Sequence, residues 1–360
     1  MKLLLSPLAI LYGAVTALRN ACYDKGILRA HRSKLPVISI GNISVGGNAK
    51  TPLVIFLTQE LSKRGMEVVI LSRGYGGSLR GPVRVLPEHR SSEVGDEPLL
   101  IAAKTGRPVV ISRDRVAGAS FIEKEKLGNV ILLDDGFQHR RLARDLDIVS
   151  AYVGSEDARR DFLEAKLLPL GRFREARDRA LRRADVVIFS ERQPISDTSA
   201  VDNRLLRVIP AGVQIYRSFF QVQGAFSLVD AAPLSAKSVV AFCGIANPEG
   251  FLETLSRSGY VVHQSHVFGD HHAFTTSELQ SLRQKHPGLA LICTEKDASR
   301  IPPDQRSGIY ELRIATKVIP ADAFVTHVCR LILQRQSRMQ GTLVDLPNSR
   351  DVEKSSKQKL

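Results

Sequence analysis

The hydrophobic pattern of the chain opens with a run of 16 uncharged residues, Leu3 to Leu18, bounded by Lys2 and Arg19. Within it Leu4, Leu8, Leu11, Val15, Leu18 and Cys22 recur at spacings of four and three, which places them on one stripe of a helix. A spanning helix requires about 20 apolar residues, so this run is short, and Ser6, Pro7 and Thr16 weaken it further. Arg19, Lys25, Arg29, Arg32 and Lys34 follow, opposed only by Asp24. An apolar stripe followed by cations predicts a helix lying in a membrane interface. At roughly 1 kcal/mol per basic residue near an acidic leaflet, the net excess contributes about 4 kcal/mol. The other use of such a stripe is packing on the protein's own core.

From Leu35 the pattern changes to short apolar runs alternating with helical spacing. Pro36 to Ile40, Val68 to Leu71, Pro108 to Ile111, Val130 to Leu133, Leu146 to Val149 and Val186 to Phe189 read as buried parallel strands. Thr51 to Arg64, Pro98 to Lys104 and Val116 to Lys126 read as the helices between them. A second series begins near Lys237. It has strands at Val239 to Phe242, Tyr260 to Val262 and Leu289 to Ile292, with helices at Pro248 to Ser258 and Thr276 to Lys285. Residues Gln214 to Ser227 alternate as a strand pair linking the two series would. Strands alternating with helices predict an α/β fold with a parallel sheet covered on both faces. The expected divisions are a helical segment at 1–30, a larger α/β domain at 31–225, a smaller one at 226–336 and a flexible polar tail at 337–360.

Composition narrows the partners. Hydrophobic residues make up 43% and charged residues 24%, a globular balance. The formal net charge of +14 favours an anionic partner: nucleic acid, a phosphorylated molecule or acidic lipid. Trp is absent, aromatics are 6%, and no helix-turn-helix is evident, which argues against nucleic acid. Cys22, Cys243, Cys293 and Cys329 lie far apart with no CxxC pair, so neither a disulfide framework nor structural zinc is expected.

The first strand runs into Gly41-Asn42-Ile43-Ser44-Val45-Gly46-Gly47-Asn48-Ala49-Lys50-Thr51, where a helix opens. A glycine-rich turn between strand and helix directs backbone N–H groups at a triphosphate on the positive end of the helix. Ser44, Val45, Gly46, Gly47, Asn48, Ala49, Lys50 and Thr51 therefore form the expected ATP-binding loop. Lys50 would reach the β- and γ-phosphates and the Thr51 hydroxyl would ligate Mg²⁺. The strict pattern has glycine where Ser44 and Ala49 stand; Gly46 and Gly47 partly replace them. Asp134-Asp135 closes the Val130 to Leu133 strand, the place where P-loop folds keep a magnesium-associated carboxylate.

These elements occur in a recognisable order. Gly41-Asn42 through Thr51-Pro52, Ser72-Arg73-Gly74-Tyr75-Gly76, Gly95-Asp96-Glu97-Pro98, Asp134-Asp135-Gly136-Phe137-Gln138-His139, Asp270-His271-His272 and Thr294-Glu295-Lys296-Asp297-Ala298 follow one another. Together they resemble the tetraacyldisaccharide 4'-kinase (lipid A 4'-kinase) family, from the N-terminal helix to about residue 335. The resemblance implies transfer of the ATP γ-phosphate to the 4'-hydroxyl of tetraacyldisaccharide 1-phosphate, a glycolipid, giving lipid IVA. It implies a P-loop kinase domain with a smaller C-terminal α/β domain, at the cytoplasmic face of the inner membrane. The sequence departs from the family at Asn48-Ala49, where a small or hydroxyl residue and then glycine are usual; the departure bears on nucleotide affinity. A membrane-associated P-loop ATPase switch with no small acceptor is the alternative.

A sugar hydroxyl needs a base, and Asp96 is the candidate, in a turn that presents a carboxylate rather than burying it. Asp before Glu-Pro is also a good helix cap. The family's pairing of this Asp with a histidine carries over to His271, with His272 competing. Glu97 and Asp135 are expected to join Asp134 and Thr51 around Mg²⁺. Arg115 and Arg174 match basic positions of the family and fit a transferring phosphoryl group or the acceptor's 1-phosphate; either could instead be a surface ion pair. Tyr75, Gln138 and His139 are expected to line the acceptor site.

Overall fold

The computed structural model describes residues 2–46, 50–191 and 202–339. Gly47, Asn48 and Ala49 of the expected phosphate loop, and the tail from 340, lie outside the described residues. Strands β1 (Val37–Gly41), β2 (Val68–Ser72), β3 (Val83–Arg84), β4 (Val109–Ile111), β5 (Val130–Asp134) and β6 (Leu146–Tyr152) come first. They are followed by β7 (Val186–Glu191), β8 (Gln214–Ser227), β9 (Ser238–Cys243), β10 (Val261–Val267), β11 (Ala290–Thr294) and β12 (Ile309–Ile319). The helices are α1 (Lys2–Asp24), α2 (Lys50–Lys63), α3 (Ser91–Val94), α4 (Asp96–Thr105), α5 (Arg115–Lys124) and α6 (Glu156–Glu164), then α7 (Arg177–Leu181), α8 (Asn203–Leu206), α9 (Pro248–Arg257), α10 (Thr276–Lys285), α11 (Glu295–Ala298) and α12 (Ala321–Met339).

All twelve described strands belong to one sheet, ordered β10-β9-β11-β12-β8-β7-β6-β1-β5-β2-β4-β3. Its neighbours are parallel except β12 with β8 and β3 with β4. Two parallel blocks therefore meet at one long antiparallel seam. The seam corrects the expectation of a strand pair at 214–227: that segment is a single strand, parallel to β7 on one side and antiparallel to β12 on the other. The strand carries a bulge, where Gly224 takes φ 126° and the register shifts between Arg313 and Ile314.

In the first block β1, β2 and β5 are buried at every position, as uninterrupted apolar runs require. Leu53, Leu57 and Leu61 of α2 and Phe324 and Val328 of α12 pack on one face with Ile38 and Ile40. Ala119 and Ile122 of α5 pack on the other with Val37, Val69 and Leu71. The second block is covered by Leu279 and Leu282 of α10 on one face and Phe251 and Leu255 of α9 on the other. Helix α12 continues to Met339, past the boundary expected for the tail.

Helix α1 lies outside both cores. Leu8, Leu11, Val15 and Leu18 are 54–68% exposed, so the stripe faces outward and does not pack on the protein's own core. No helix among the described residues is long and apolar enough to cross a membrane.

Candidate active site

The site gathers at the C-terminal ends of β1, β2 and β5. Strand β1 ends at Gly41, where a Cβ would meet Phe137 Cβ at 2.6 Å. Glycine lets the chain leaving β1 lie against Asp135-Gly136-Phe137, so the phosphate loop starts beside the acidic pair. The first limb of that loop is fixed by Val45 N–H donating to Arg172 O (2.8 Å) and Arg174 N–H donating to Ile43 O (2.9 Å). Ser44 bridges to Phe173, and Gly46 is exposed in the described part of the turn. Helix α2 opens at Lys50, whose Nζ is 3.3 Å from Asp135 Oδ1. Arg174 Nη1 approaches the same carboxylate at 3.3 Å.

Asp134 is buried below this pair. Its Oδ2 accepts from Ser72 Oγ at 2.9 Å, while Oδ1 is buried without a hydrogen-bond partner. Burial raises its pKa to about 6, helped by the charges of Glu97 and Asp135. Glu97 Oε1 in turn accepts from Thr51 Oγ1 at 3.1 Å. Thus Lys50, Thr51, Glu97, Asp134 and Asp135 share one locality. Among the described residues no group of three or more His, Cys, Asp or Glu is arranged to cage a metal alone. The oxygen set of Thr51, Glu97 and Asp134, with one unpartnered buried carboxylate oxygen, fits a hard cation that arrives with phosphates and keeps waters.

Asp96 is the first residue of α4, and it is buried at 4% exposure, contrary to the expectation that its turn would present it. The N-cap position belongs to Gly95, at φ 92°. A Cβ there would sit 2.5 Å from Tyr75 O, so Gly95 holds Asp96 close under the Ser72 to Gly77 loop. The second block then covers the carboxylate. Arg300 binds Asp96 Oδ2, and His271 Nδ1 is 3.2 Å from the same oxygen. Burial pushes the Asp96 pKa up, but the bond and charge of Arg300, with His271 and Lys296, outweigh it and hold the carboxyl below its usual range.

The two histidines separate cleanly. His271 adopts φ 60° and turns to Asp96, its ring 5.9 Å from that of the exposed Tyr75. His272 Nε2 is 3.1 Å from Glu278, and its ring stacks on Phe268 at 4.7 Å. His271 is the partner of Asp96.

Gln138 donates to Asn42 O (2.7 Å) and accepts from Arg174 at 3.4 Å. Arg115 is no surface ion pair: it is buried, donates to Ser112 O at 3.0 Å, and lies within the fields of Asp134 and Asp135. His139 is held down to about 4, chiefly by burial and then by Arg115, which keeps it neutral.

In the sequence Lys296 sits within a motif without an assigned role, and Arg300 is not singled out. Lys296 binds Glu97, and Arg300 binds Asp96 while also donating to Gly244 O (2.8 Å) and Asp297 (3.2 Å). Lys104 of α4 binds Glu295, so three ion pairs join α4 to the Glu295 to Arg300 segment. The available signal was a basic residue three positions after Asp297, on the same helical face. Thr51 and Lys296 also border a cavity of about 870 Å³ between the blocks, with Val45, Gly46, Asn247 and Glu295.

A family model described as tetraacyldisaccharide-1-P 4'-kinase matches residues 1–333. A tetraacyldisaccharide 4'-kinase from Chlorobium phaeovibrioides is 36% identical, over 88% of this chain and 94% of its own length. One from Aeromonas salmonicida is 37% identical over 82% of each chain. The crystal structure of the "apo" form of LpxK from Aquifex aeolicus in complex with ATP superposes with a TM-score of 0.74 at 28% identity. That match covers 92% of this chain and 99% of the other. The arrangement of carboxylates, Lys50 and His271 thus sits in a protein alike over nearly its whole length to these enzymes, and the chain belongs to the tetraacyldisaccharide-1-P 4'-kinase family.

Proposed function

We propose that this chain transfers the γ-phosphate of ATP to the 4'-hydroxyl of tetraacyldisaccharide 1-phosphate, giving lipid IVA, with Asp96 as the base. The observation that carries the role of Asp96 is one crevice in which Glu97, bonded to Thr51, stands next to an Asp96 already paired with His271. An ATPase switch without an acceptor has no use for a carboxylate and imidazole drawn from two blocks of the fold.

Lys50 exchanges Asp135 for the β- and γ-phosphates, and Arg174 keeps Asp135 neutralised when it does. Asp96 is ionised at neutral pH, so its carboxylate accepts the proton of the attacking hydroxyl as the bond to phosphorus forms. It does so at Oδ1, which keeps a lone pair beside the one that accepts the Glu97 N–H, while Arg300 and His271 occupy Oδ2. His271 Nδ1, on Oδ2 with Arg300, fixes the orientation of the carboxylate and so the direction of its free lone pair. Arg300 limits the basicity of Asp96, which a loose transition state tolerates because the hydroxyl proton leaves late. Mg²⁺ bound with ATP supplies charge neutralisation at the phosphate oxygens, and Thr51, Glu97 and Asp134, with Asp135, would hold it. Arg115, His139, Gln138, Arg174 and Tyr75 are assigned to the anionic acceptor side.

The outward Leu8, Leu11, Val15 and Leu18, with the basic residues that follow, support attachment of α1 to the cytoplasmic face of an inner membrane. The 31–225 and 226–336 divisions correspond in this reading to the nucleotide-bearing and the histidine-bearing lobes.

The test is to incubate purified protein with ATP, Mg²⁺ and the monophosphorylated tetraacyl disaccharide, then weigh the lipid. The product gains one phosphate, and Lys50→Met or Asp96→Asn lowers turnover by about 10²-fold or more with the fold intact. ATP consumption that ignores the lipid, or near-native turnover in either variant, overturns the assignment.

A further inference from the structure

The inner face of α1 carries buried polar contacts beside the apolar Ala9 and Gly13, and attachment to a lipid surface does not require them. Asn20 is 5% exposed, and its Nδ2 donates to Glu175 Oε2 at 2.9 Å. Glu175 is 2% exposed and also accepts from Arg183 (2.9 Å) and from Gln138 Nε2 (3.3 Å). Gln138 Oε1 then accepts from Arg174, which reaches the Asp135 carboxylate shared with Lys50. A second link bypasses Glu175: Tyr12 Oη donates to the backbone oxygen of Arg174 at 2.8 Å. Arg140 clamps the end of the helix, donating to Asn20 O (2.9 Å) and Asp24 Oδ1 (2.7 Å). A buried carboxylate with three donors has little freedom, because each lost partner leaves desolvated charge uncompensated.

We infer that Asn20 and Tyr12 are positioning residues: α1 orients Gln138 and Arg174 toward a phosphate group through Glu175 and the Arg174 backbone. The helix is part of the framework of the site as well as its contact with lipid. The inference rests on the reading of Gln138 and Arg174 as groups that face a phosphate, whether of the nucleotide or of the acceptor.

Full-length Asn20→Leu and Tyr12→Phe are compared with the parent in two assays. One is sedimentation with vesicles containing phosphatidylglycerol; the other is steady-state kinetics with ATP and lipid acceptor varied separately. Both residues face inward, so vesicle binding is unchanged. Asn20→Leu raises one Michaelis constant about tenfold, the low end for losing a hydrogen bond to a charged group. Tyr12→Phe, which removes only a hydroxyl and needs no refolding of the core, raises the same constant by a few-fold. A rise for ATP identifies the phosphate as the nucleotide's, and a rise for lipid as the acceptor's. A fall in kcat with both Michaelis constants unchanged marks a loss of folded enzyme and overturns the inference. Kinetics that decline only in proportion to vesicle binding also overturn it. Arg174→Ala serves as control. Unaltered kinetics in Arg174→Ala sinks the underlying assignment, whereas a deficient Arg174→Ala beside a fully active Asn20→Leu and Tyr12→Phe sinks the relay alone.

Discussion

Replacing Arg300 with methionine removes the main counter-charge of the proposed base while keeping most of the side-chain volume. Arg300 and Asp96 are each 4% exposed, so water screens the pair little. Deleting one member of a buried pair costs about 3–5 kcal/mol, mostly through the charge left behind. His271 still contacts Asp96 Oδ2 at 3.2 Å, which places the expected loss near 3 kcal/mol. The depressed Asp96 pKa gives the sign of the pH dependence: its contribution is complete above the unfolded carboxyl value and is lost as pH falls through the lower folded value. Denaturant titration should therefore show the full parent-to-variant gap at pH 7 and a narrowing gap below about pH 4. Without Arg300, burial is opposed only by weaker charges, so the acid limb of kcat/KM moves to higher pH. Turnover at neutral pH falls about tenfold, less than the 10²–10⁴ expected for losing the base itself. Arg300→Lys, which keeps the charge but not the fork to Gly244 and Asp297, falls between the two. Stability at pH 7 within 0.5 kcal/mol of the parent, a surface-like effect, with an unmoved acid limb would refute the ion pair as the setting of the base.

The histidine pair gives a second contrast. His271→Ala should lower kcat about 10²-fold at nearly parental stability, whereas His272→Ala should leave kcat within a few-fold because its ring serves Phe268 and Glu278; equal effects in the rate assay would undo the distinction. Asp134 gives a third. A folded pKa of about 6 against the ordinary 3.8 means that ionised Asp134 costs the nucleotide-free fold up to about 3 kcal/mol above pH 6. Asp134→Asn should stabilise the protein at pH 8, lose that advantage as pH falls from 6 to 4, and lose Mg²⁺-dependent turnover. Denaturation midpoints that do not differ at pH 8 would show that the group is not strained.

What was legible in the sequence is what the chain decides locally. Strands β1, β2 and β5 lie between two covered faces, so every position is apolar and the run announces itself. Strand β12 is half exposed and carries Glu311, Arg313 and Lys317 among its apolar residues, which left no continuous run to read. It is nevertheless the strand that joins the two blocks. The same division runs through the site. Asp134 and Asp135 sit where a strand ends, and Lys50 and Thr51 where a helix opens, within motifs whose chemistry follows from their own spacing. The partners of Asp96 and Glu97 come from 204 and 199 residues away, and no periodicity encodes such a meeting. Asp96 accordingly read as presented, since its turn is polar, while its burial is imposed by what docks on it.

That long-range docking gives the resting site its charge balance. Asp96, Glu97 and Asp135 are each matched by a cation: Arg300 with His271, Lys296, and Lys50 with Arg174. Asp134 is hydrogen-bonded only to a hydroxyl and feels Lys50, Arg115 and Lys296 at longer range, and burial with the charges of Glu97 and Asp135 raises its pKa. A triphosphate entering this balance withdraws Lys50 from Asp135 and adds negative charge beside an acid already reluctant to ionise. A divalent cation reverses both penalties at once, because it restores the lost counter-charge and gives the free Oδ1 of Asp134 a partner. Nucleotide and metal should therefore bind as a pair, each weakly without the other. Metal affinity should weaken as pH falls toward 6, where Asp134 must release a proton to take the metal, and the coupling should shrink with it, because a protonated Asp134 no longer repels the triphosphate.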